Sequence, residues 1–302
     1  MGIKMLGKFI KLKCSESISI EHLNIYSGKT AVIDISIYLY KYKVQKALLT
    51  NIYLMCSVFK KYNIKPLFVF DGCAGEEKKE ELKKRRQEKR SAKYEYYKII
   101  ETNEVIDDTI KKYLNTLEKK FVKITKEDIK NVKNLLESYG VTYYQATKEA
   151  DELCAYLINR GLGDIIISDD MDLFVYGCPI ILRHLDIVNH TCLSYDITKI
   201  LYKLKMSIVD FKWLCIFAGT DYNNNDKNIF YYYNKYKFLK NKENFKDILF
   251  NNTKENLSKL NQIYNIFDLT DINIDYKIKN NTDMNKKSLY GLLEKENFIF
   301  IK

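Results

Sequence analysis

No Cys-x-x-Cys pair occurs anywhere in this chain. Its seven cysteines, Cys14, Cys56, Cys73, Cys154, Cys178, Cys192 and Cys215, are odd in number and scattered. That pattern argues against a zinc module and against a disulfide framework, and it fits a reducing intracellular compartment. The three histidines, His22, His184 and His190, lack the clustering of a His-based metal site. No apolar run reaches membrane-spanning length. The opening Met-Gly-Ile-Lys-Met-Leu has no signal-peptide apolar core, and Leu6 stands where a myristoylation signal requires Ser or Thr. No glycine falls between Gly219 and Gly291, no internal repeat is visible, and no Ser- or Cys-based triad stands out.

What is present has room for a core. The 302 residues are 46% hydrophobic, enough for one large α/β domain or one domain plus a small appendage. Fifty Lys and Arg against 39 Asp and Glu leave a formal charge of +11, which points to a polyanionic partner, nucleic acid first. The same excess follows from the coding bias of an AT-rich genome, where Asn, Ile, Tyr and Lys abound, so charge alone decides little.

Short β-branched or aromatic runs predict strands at Thr30 to Ile33, Pro66 to Phe70, Val141 to Tyr144, Asp164 to Ile167 and Pro179 to Leu182. Helical patterns lie between them, at Ile37 to Tyr62, Lys126 to Tyr139 and Glu149 to Arg160. The alternation predicts an α/β fold: a mostly parallel central sheet flanked by helices, with sites beyond the carboxyl ends of the strands. The segment Glu76 to Lys98 is nearly all charge and has no apolar stripe. Glu80/Lys84 and Glu81/Arg85 are i,i+4 pairs that support a charged helix standing away from the body. Beyond Tyr222 the composition turns to Asn, Lys and Tyr, which predicts a small, mostly helical extension with low-complexity character near Asn223 to Tyr236.

Acids recur where strands end or helices open: Asp34 in V-I-D-I-S, Asp71 in F-V-F-D-G, Glu149 and Asp151 in K-E-A-D-E-L, Asp170 and Asp172 in S-D-D-M-D-L-F, and Asp221 in A-G-T-D-Y. Taken singly, each is as well explained by a cap, a turn or a helix dipole. Together they imply one cleft. Two carboxylates about 4 Å apart repel by about 4 kcal/mol at an effective dielectric near 20, so seven in one place require countercharge. Hard divalent cations such as Mg²⁺ or Mn²⁺ suit an all-oxygen set. A pair of such ions supplies an activated water and neutralises the attacking and leaving oxygens of a phosphodiester.

These residues resemble the flap endonuclease and XPG-type 5′ nucleases from Met-Gly-Ile to about Tyr222. V-I-D-I-S-I-Y-L-Y and P-L-F-V-F-D-G look like the family's first two acidic motifs. The run from Lys123 to Leu157 looks like its internal motif. I-I-S-D-D-M-D-L-F-V-Y-G and L-C-I-F-A-G-T-D-Y look like the last two. The resemblance implies a PIN-like 5′ nuclease fold with a catalytic domain over residues 1–222, a charged helical arch at about 73–125 and a divergent extension over 223–302. It implies metal ligands at Asp34, Asp71, Glu149, Asp151, Asp170, Asp172 and Asp221, holding two Mg²⁺ ions that Mn²⁺ can replace. Asp151 stands where family members have Glu or Asp. Counting from the motif Asp-Gly, the arch Lys and Arg fall at Lys78 and Arg85, two helical turns apart, to hold the scissile phosphate and stabilise its developing charge. Lys79, Lys84 and Arg86 take that role if the register slips. Tyr40 matches an aromatic that stacks on a base beside the cut, and Gly2 matches the family's processed N-terminal residue.

The resemblance implies hydrolysis of branched or 5′-ended DNA by flap endonuclease, and also 5′–3′ exonuclease, action in replication, repair or recombination. It departs after Asp221. The family continues into a Gly-x-Gly hairpin that contacts duplex and often holds K⁺, whereas this chain reads Asn223-Asn224-Asn225-Asp226-Lys227, which counts against both, with Lys227, Lys235 and Lys237 as alternative phosphate contacts. Leu289 to Phe300 lacks the opening Gln of a sliding-clamp motif. A monomer is expected, in nucleus, cytoplasm or a viral replication site. Two other readings stand beside the nuclease: a non-catalytic DNA-binding scaffold with the same fold, and a PIN-like ribonuclease. The intact acids speak against the first, and the long insertion between Asp71 and Glu149 against the second.

Overall fold

The computed structural model describes residues 2–73, 75–103, 106–223, 225–239, 245–251, 257–269, 283–296 and 298. The chain forms two compact units, one comprising Met1–Ile35, Val58–Ala74 and Tyr144–Lys279, the other Ser36–Ser57, Gly75–Tyr143 and Asn280–Lys302.

The first unit is built on a seven-stranded sheet. Its strands are β1 (Ile18–His22), β2 (Thr30–Asp34), β3 (Lys65–Phe70), β4 (Tyr143–Gln145), β5 (Ile165–Ile167), β6 (Ile180–Asp186) and β7 (Thr191–Asp196), in the order β1-β7-β6-β5-β2-β3-β4. β2 runs parallel to β3 and β5, and β5 parallel to β6. The five predicted strands are all present. β1 and β7, which no sequence pattern predicts, add antiparallel pairings at one edge and make the sheet mixed. No residue of β1 is fully buried and only half of those in β7 are, so neither carries the continuous apolar run that marks a strand buried on both faces.

Around this sheet lie α1 (Leu6–Lys13), α7 (Ala150–Asn159), α8 (Asp172–Val175), α9 (Ile197–Leu204), α10 (Ile208–Ala218), α11 (Ile229–Lys237), α12 (Phe245–Asn251) and α13 (Leu257–Ile266). α7 packs against β2, β3 and β5 and buries residues on every side. α10, likewise buried all round, receives α11, α12 and α13. Ile229, Tyr232, Tyr236, Phe245, Leu260 and Phe267 therefore belong to the same apolar core as the residues before Tyr222. The compact units do not divide the chain at residue 222.

The second unit is helical: α2 (Ser36–Val44), most of α3 (Leu48–Lys61), α4 (Lys79–Thr102), α5 (Asp108–Phe121), α6 (Lys126–Tyr139) and α14 (Lys286–Leu293). The helix predicted from Ile37 to Tyr62 is two helices, because Lys46 takes a left-handed conformation (φ 56°) between them. α4 buries little beyond Ala92 and packs against amphipathic α5, which buries Leu114 and Leu117. α6 opens on a Thr125/Asp128 capping box and closes on Gly140 at φ 82°, the left-handed stop that glycine permits. α14 lies along α6, where Ser138 carbonyl accepts from Asn285 N–H at 2.8 Å. Among the described residues no helix is long and apolar enough to cross a membrane.

Candidate active site

Parallel register places three acids on adjacent strand ends. Ile33 of β2 is level with Phe68 of β3 and Ile167 of β5. Asp34 ends β2, Asp71 follows β3, and Asp170 comes shortly after β5. With neighbouring strands about 4.8 Å apart, the three face the crevice beyond the carboxyl ends of the sheet, the usual place for a site in such folds.

The other acids arrive through helix starts. Beyond β3 the backbone of Gly72 runs against residues 146–148: Gly72 N–H donates to Lys148 carbonyl at 2.6 Å, and a Cβ at Gly72 would overlap the carbonyls of Ala146 and Thr147. This close approach explains the glycine after Asp71. It also brings Asp71 Oδ1 to Ala150 N–H at 2.9 Å, beside Glu149 at the N-cap of α7 and Asp151 in its first turn. Asp34 Oδ2 accepts from the Ser168 hydroxyl at 3.0 Å, and Ser168 Oγ accepts from Asp170 N–H at 3.1 Å. Asp170 Oδ1 in turn accepts from Asp172 N–H at 3.0 Å, which opens α8 on an acid with no exposed surface.

Asp221 closes the set from the far end of the chain. Gly2 N–H donates to Asp221 Oδ1 at 3.2 Å. Gly2 itself has φ 81°, and a Cβ there would overlap Asp172 Oδ1 and lie 2.9 Å from Asp170 Oδ1. Asp170, Asp172 and Asp221 thus surround one glycine. The loop that presents Asp221 is held by amides. Buried Asn223 donates to Ile216 carbonyl at 3.0 Å and accepts from Thr220 N–H at 3.1 Å and Thr220 Oγ1 at 2.7 Å. Asn225 donates to Phe217 carbonyl at 2.8 Å, and Asn228 caps α11. The described part of the stretch expected to be low in complexity is an ordered turn followed by a helix. Asparagine's side chain mimics backbone in turns, the one signal that foreshadowed it.

Two residues join the site that the sequence did not single out. Ser168 bridges Asp34 and Asp170, and the Tyr222 hydroxyl donates to Glu149 Oε2 at 3.3 Å. The field here is strongly negative. Burial, then the carboxylates of Glu149, Asp151 and Asp172, drives the Tyr222 hydroxyl far above its ordinary range. Burial, then Asp34 and Asp151, with Asp71 contributing, does the same to the Cys154 thiol. Asp34, Asp151 and Asp172 are 7%, 6% and 0% exposed, and buried carboxylates need hydrogen bonds and countercharge to stay ionised. Among the described residues no three His, Cys, Asp or Glu form a group that could hold an ion as their side chains stand. Asp34, Asp71, Glu149, Asp170 and Asp221 accept instead from the neutral donors named above, and Asp151 Oδ1 accepts from Glu152 N–H at 2.7 Å. The donor set is nonetheless all oxygen and all acidic, the chemistry of hard divalent cations.

The expected arch residues and Tyr40 belong to the second unit. Lys78 precedes α4 and is 7% exposed. Arg85 Nε pairs with Glu81 at 2.9 Å, one of the two predicted i,i+4 pairs. Lys79, Lys84 and Arg86 are exposed. Tyr40 is 43% exposed, with Lys89 Nζ 5.0 Å from its ring centre. A cleft of about 260 Å³ in this unit is lined by Lys43, Lys46, Asp128 and Glu296 among others, and by none of the acids above.

Two family models match the chain: the XPG N-terminal domain over residues 1–92 and the XPG I-region over residues 140–221. A probable RAD2-like endonuclease of Invertebrate iridescent virus 6 is 30% identical over 284 residues, covering 74% of this chain and 68% of that protein. Flap endonuclease 1 of Theileria annulata is 33% identical over 240 residues, covering 74% of this chain and 46% of its own length. The chain spans about half the length of such flap endonuclease relatives. In fold it is similar to the catalytic core of Rad2 in complex with DNA substrate (TM-score 0.67, 21% identity, 96% of this chain and 93% of that one). It is also similar to flap endonuclease-1 from Methanococcus jannaschii (TM-score 0.65, 22% identity, 92% and 90%).

Proposed function

The chain belongs to the XPG-type flap endonuclease family, and from that premise we propose that it is a structure-specific 5′ nuclease hydrolysing DNA phosphodiester bonds near 5′ ends or branch points. The observation that supports the reading is that Asp34, Asp71 and Asp170 stand at or just beyond adjacent strand ends, with Asp170, Asp172 and Asp221 about Gly2, and with Glu149 and Asp151 at the start of α7, whose Ala150 N–H donates to Asp71.

Nucleases of this family depend on divalent metal. In this chain the seven carboxylates are the residues to hold it, with Mg²⁺ as the ion and Mn²⁺ as a substitute. Such ions, when bound, supply an activated water and neutralise charge on the phosphate. The protein's own part is positional. Ser168 orients Asp34 and Asp170, Ala150 N–H orients Asp71, and the Tyr222 hydroxyl orients Glu149. On sequence likeness Lys78 and Arg85 take the scissile phosphate, and Tyr40 a flanking base. Arg85 then exchanges Glu81 for substrate, a small cost for a partly exposed pair. The relatives' names and the DNA in the Rad2 complex support branched or 5′-ended DNA as substrate. Free cysteines, six of them buried, support a reducing compartment.

The test is incubation with a labelled 5′-flap substrate, with and without Mg²⁺. Wild type is expected to cut only with metal, and Asp170→Ala not at all. No cleavage by wild type, or equal cleavage by both, overturns the proposal.

A further inference from the structure

Two of the three histidines meet in the first unit, although they lie far apart in the chain. His22 ends β1, and His190 closes the turn between β6 and β7. Tyr62, in the segment between α3 and β3, stands between their rings. The ring centres of His22 and Tyr62 are 5.1 Å apart, those of Tyr62 and His190 5.3 Å, and those of the two histidines 6.1 Å, all edge-on. All three residues are half-buried.

The hydrogens in this group have a direction. His22 Nδ1 accepts from Asn24 N–H at 3.2 Å, so the neutral ring carries its proton on Nε2. That nitrogen lies 3.4 Å from the Tyr62 hydroxyl oxygen, which lies 2.7 Å from His190 Nδ1. His22 therefore donates to the phenol, and the phenol donates to His190, which accepts only while neutral. The same tautomer leaves His22 Nε2 with no lone pair for a metal ion.

His190 also ties down the edge of the sheet. Its carbonyl accepts from Leu23 N–H at 2.9 Å, which joins the end of edge strand β1 to the β6–β7 turn. Its backbone is left-handed, φ 56°, a conformation uncommon outside glycine. The charged groups that face its ring are Lys61 at the end of α3, His22 on β1 and Asp186 at the end of β6. Lys61 Nζ lies 5.3 Å from the Tyr62 ring centre. Asp186 accepts from the backbone N–H of Val188 and Asn189 and from the Asn189 amide, and Glu21, next to His22, accepts from Ser19 and Tyr26. Burial first, then Lys61 and His22, with Asp186 opposing, holds the His190 imidazole below its ordinary value of 6.5.

We infer that His22, Tyr62 and His190 form a proton-operated latch, which pins the β6–β7 turn and the end of β1 to the segment after α3 and is released when His190 is protonated. Protonated, His190 turns an N–H on the phenol, loses the bond it accepted and places a cation beside Lys61. A base held below its unfolded pKa stabilises the fold above that pKa. The contribution disappears as pH falls from 6.5 through the lower folded value. The inference does not rest on the nuclease reading.

The experiment follows hydrogen exchange in peptides covering residues 18–26 and 186–194, corrected for the intrinsic rate, between about pH 8 and about pH 5, where histidine titrates. In wild type both peptides are expected to open about fivefold more at the acid end, the effect of losing one hydrogen bond, while peptides of β2 and β3 keep their protection. His190→Asn tolerates left-handed backbone and has no imidazole to titrate. It is expected to show the acid level of opening at both ends. Tyr62→Phe keeps the ring and removes the hydroxyl, so the His190 Cε1–H signal in NMR should titrate at higher pH than in wild type. His184→Asn, the control, is expected to behave as wild type. Equal opening at both ends in wild type, a pH dependence retained in His190→Asn, or a His190 titration unmoved by Tyr62→Phe overturns the inference. So does protection raised by Zn²⁺ at about pH 8, which would make the group a metal site.

Discussion

The amide of Gly2 donates to the carboxylate of Asp221 at 3.2 Å, so the second residue of the chain seats one of the last acids of the site. A side chain at position 2 has nowhere to go. It would meet Asp170 and Asp172, and φ 81° is strained for any residue but glycine. Gly2→Ala is expected to lower flap cleavage by about tenfold or more, through a displacement of the carboxylates on the ångström scale. Cleavage at the wild-type rate, measured in single-turnover kinetics, would show that this contact does not set the site.

Asp172 has no exposed surface and lies in the same negative field as Glu149 and Asp151. Asp172→Asn keeps its shape and removes one charge. In EDTA the variant is expected to be more stable than wild type by about 1–2 kcal/mol. Its cleavage is expected to fall by about a thousandfold, the scale of losing a principal stabiliser of transition-state charge. A thermal melt and a cleavage assay on one preparation check both signs.

Mg²⁺ should act in the same direction on wild type, by neutralising the charge that Asp172→Asn removes. At a concentration about a hundredfold above its Kd, an ion that binds only the folded state adds about 2.7 kcal/mol, or several degrees in Tm for a chain of this size. Asp172→Asn should show little of that rise. Equal rises in both proteins would place the ion elsewhere.

Asn223 is 6% exposed and uses both ends of its amide. Asn223→Ala leaves Ile216 carbonyl and Thr220 N–H without that partner in a buried turn. The expected loss is about 2–3 kcal/mol, read as a lower urea midpoint, with cleavage reduced because Asp221 sits two residues away.

Asp164 anchors the start of β2. Its Oδ2 accepts from Thr30 N–H at 2.7 Å and its Oδ1 meets Lys29 at 3.2 Å. The Thr30 bond is the largest influence; burial opposes it, and the Lys29 ammonium, with Lys65, adds to it, so this carboxyl is held below its ordinary value of 3.8. A carboxylate depressed on folding stabilises above its unfolded pKa, and the contribution disappears as pH falls through the folded value. Asp164→Asn should therefore be less stable than wild type by about 1 kcal/mol near pH 7, a figure kept low because the group is partly exposed. The gap should close as pH falls from 3.8 through the lower folded value. A gap that persists there, in denaturant titrations at both pH values, would remove the ionised carboxylate as its cause.

Much of this site was legible before folding. Asp34 and Asp71 end runs of buried β-branched and aromatic residues, and Ser168-Asp169-Asp170 follows Ile165–Ile167, so strand, end and acid are all local patterns. Gly140 marked the end of α6 for the same reason. β1 and β7 were not legible, because strands exposed on one side are defined by the partners they pair with. The break at Lys46 was not legible either, since an ordinary side chain took a conformation that normally advertises itself as glycine. The residues beyond Tyr222 read as an appendage by composition, yet Tyr232, Tyr236 and Phe245 fill the main core.

By itself the order of residues determined which acids exist, which stand at strand ends and which open helices, because backbone periodicity and turn chemistry act over a few positions. Only the tertiary structure decided that Gly2 meets Asp221, that Ser168 ties Asp34 to Asp170, and that Tyr222 reaches Glu149. Those contacts span large separations along the chain. They are set by strand register and by the packing of α7 and α10, which no local pattern encodes.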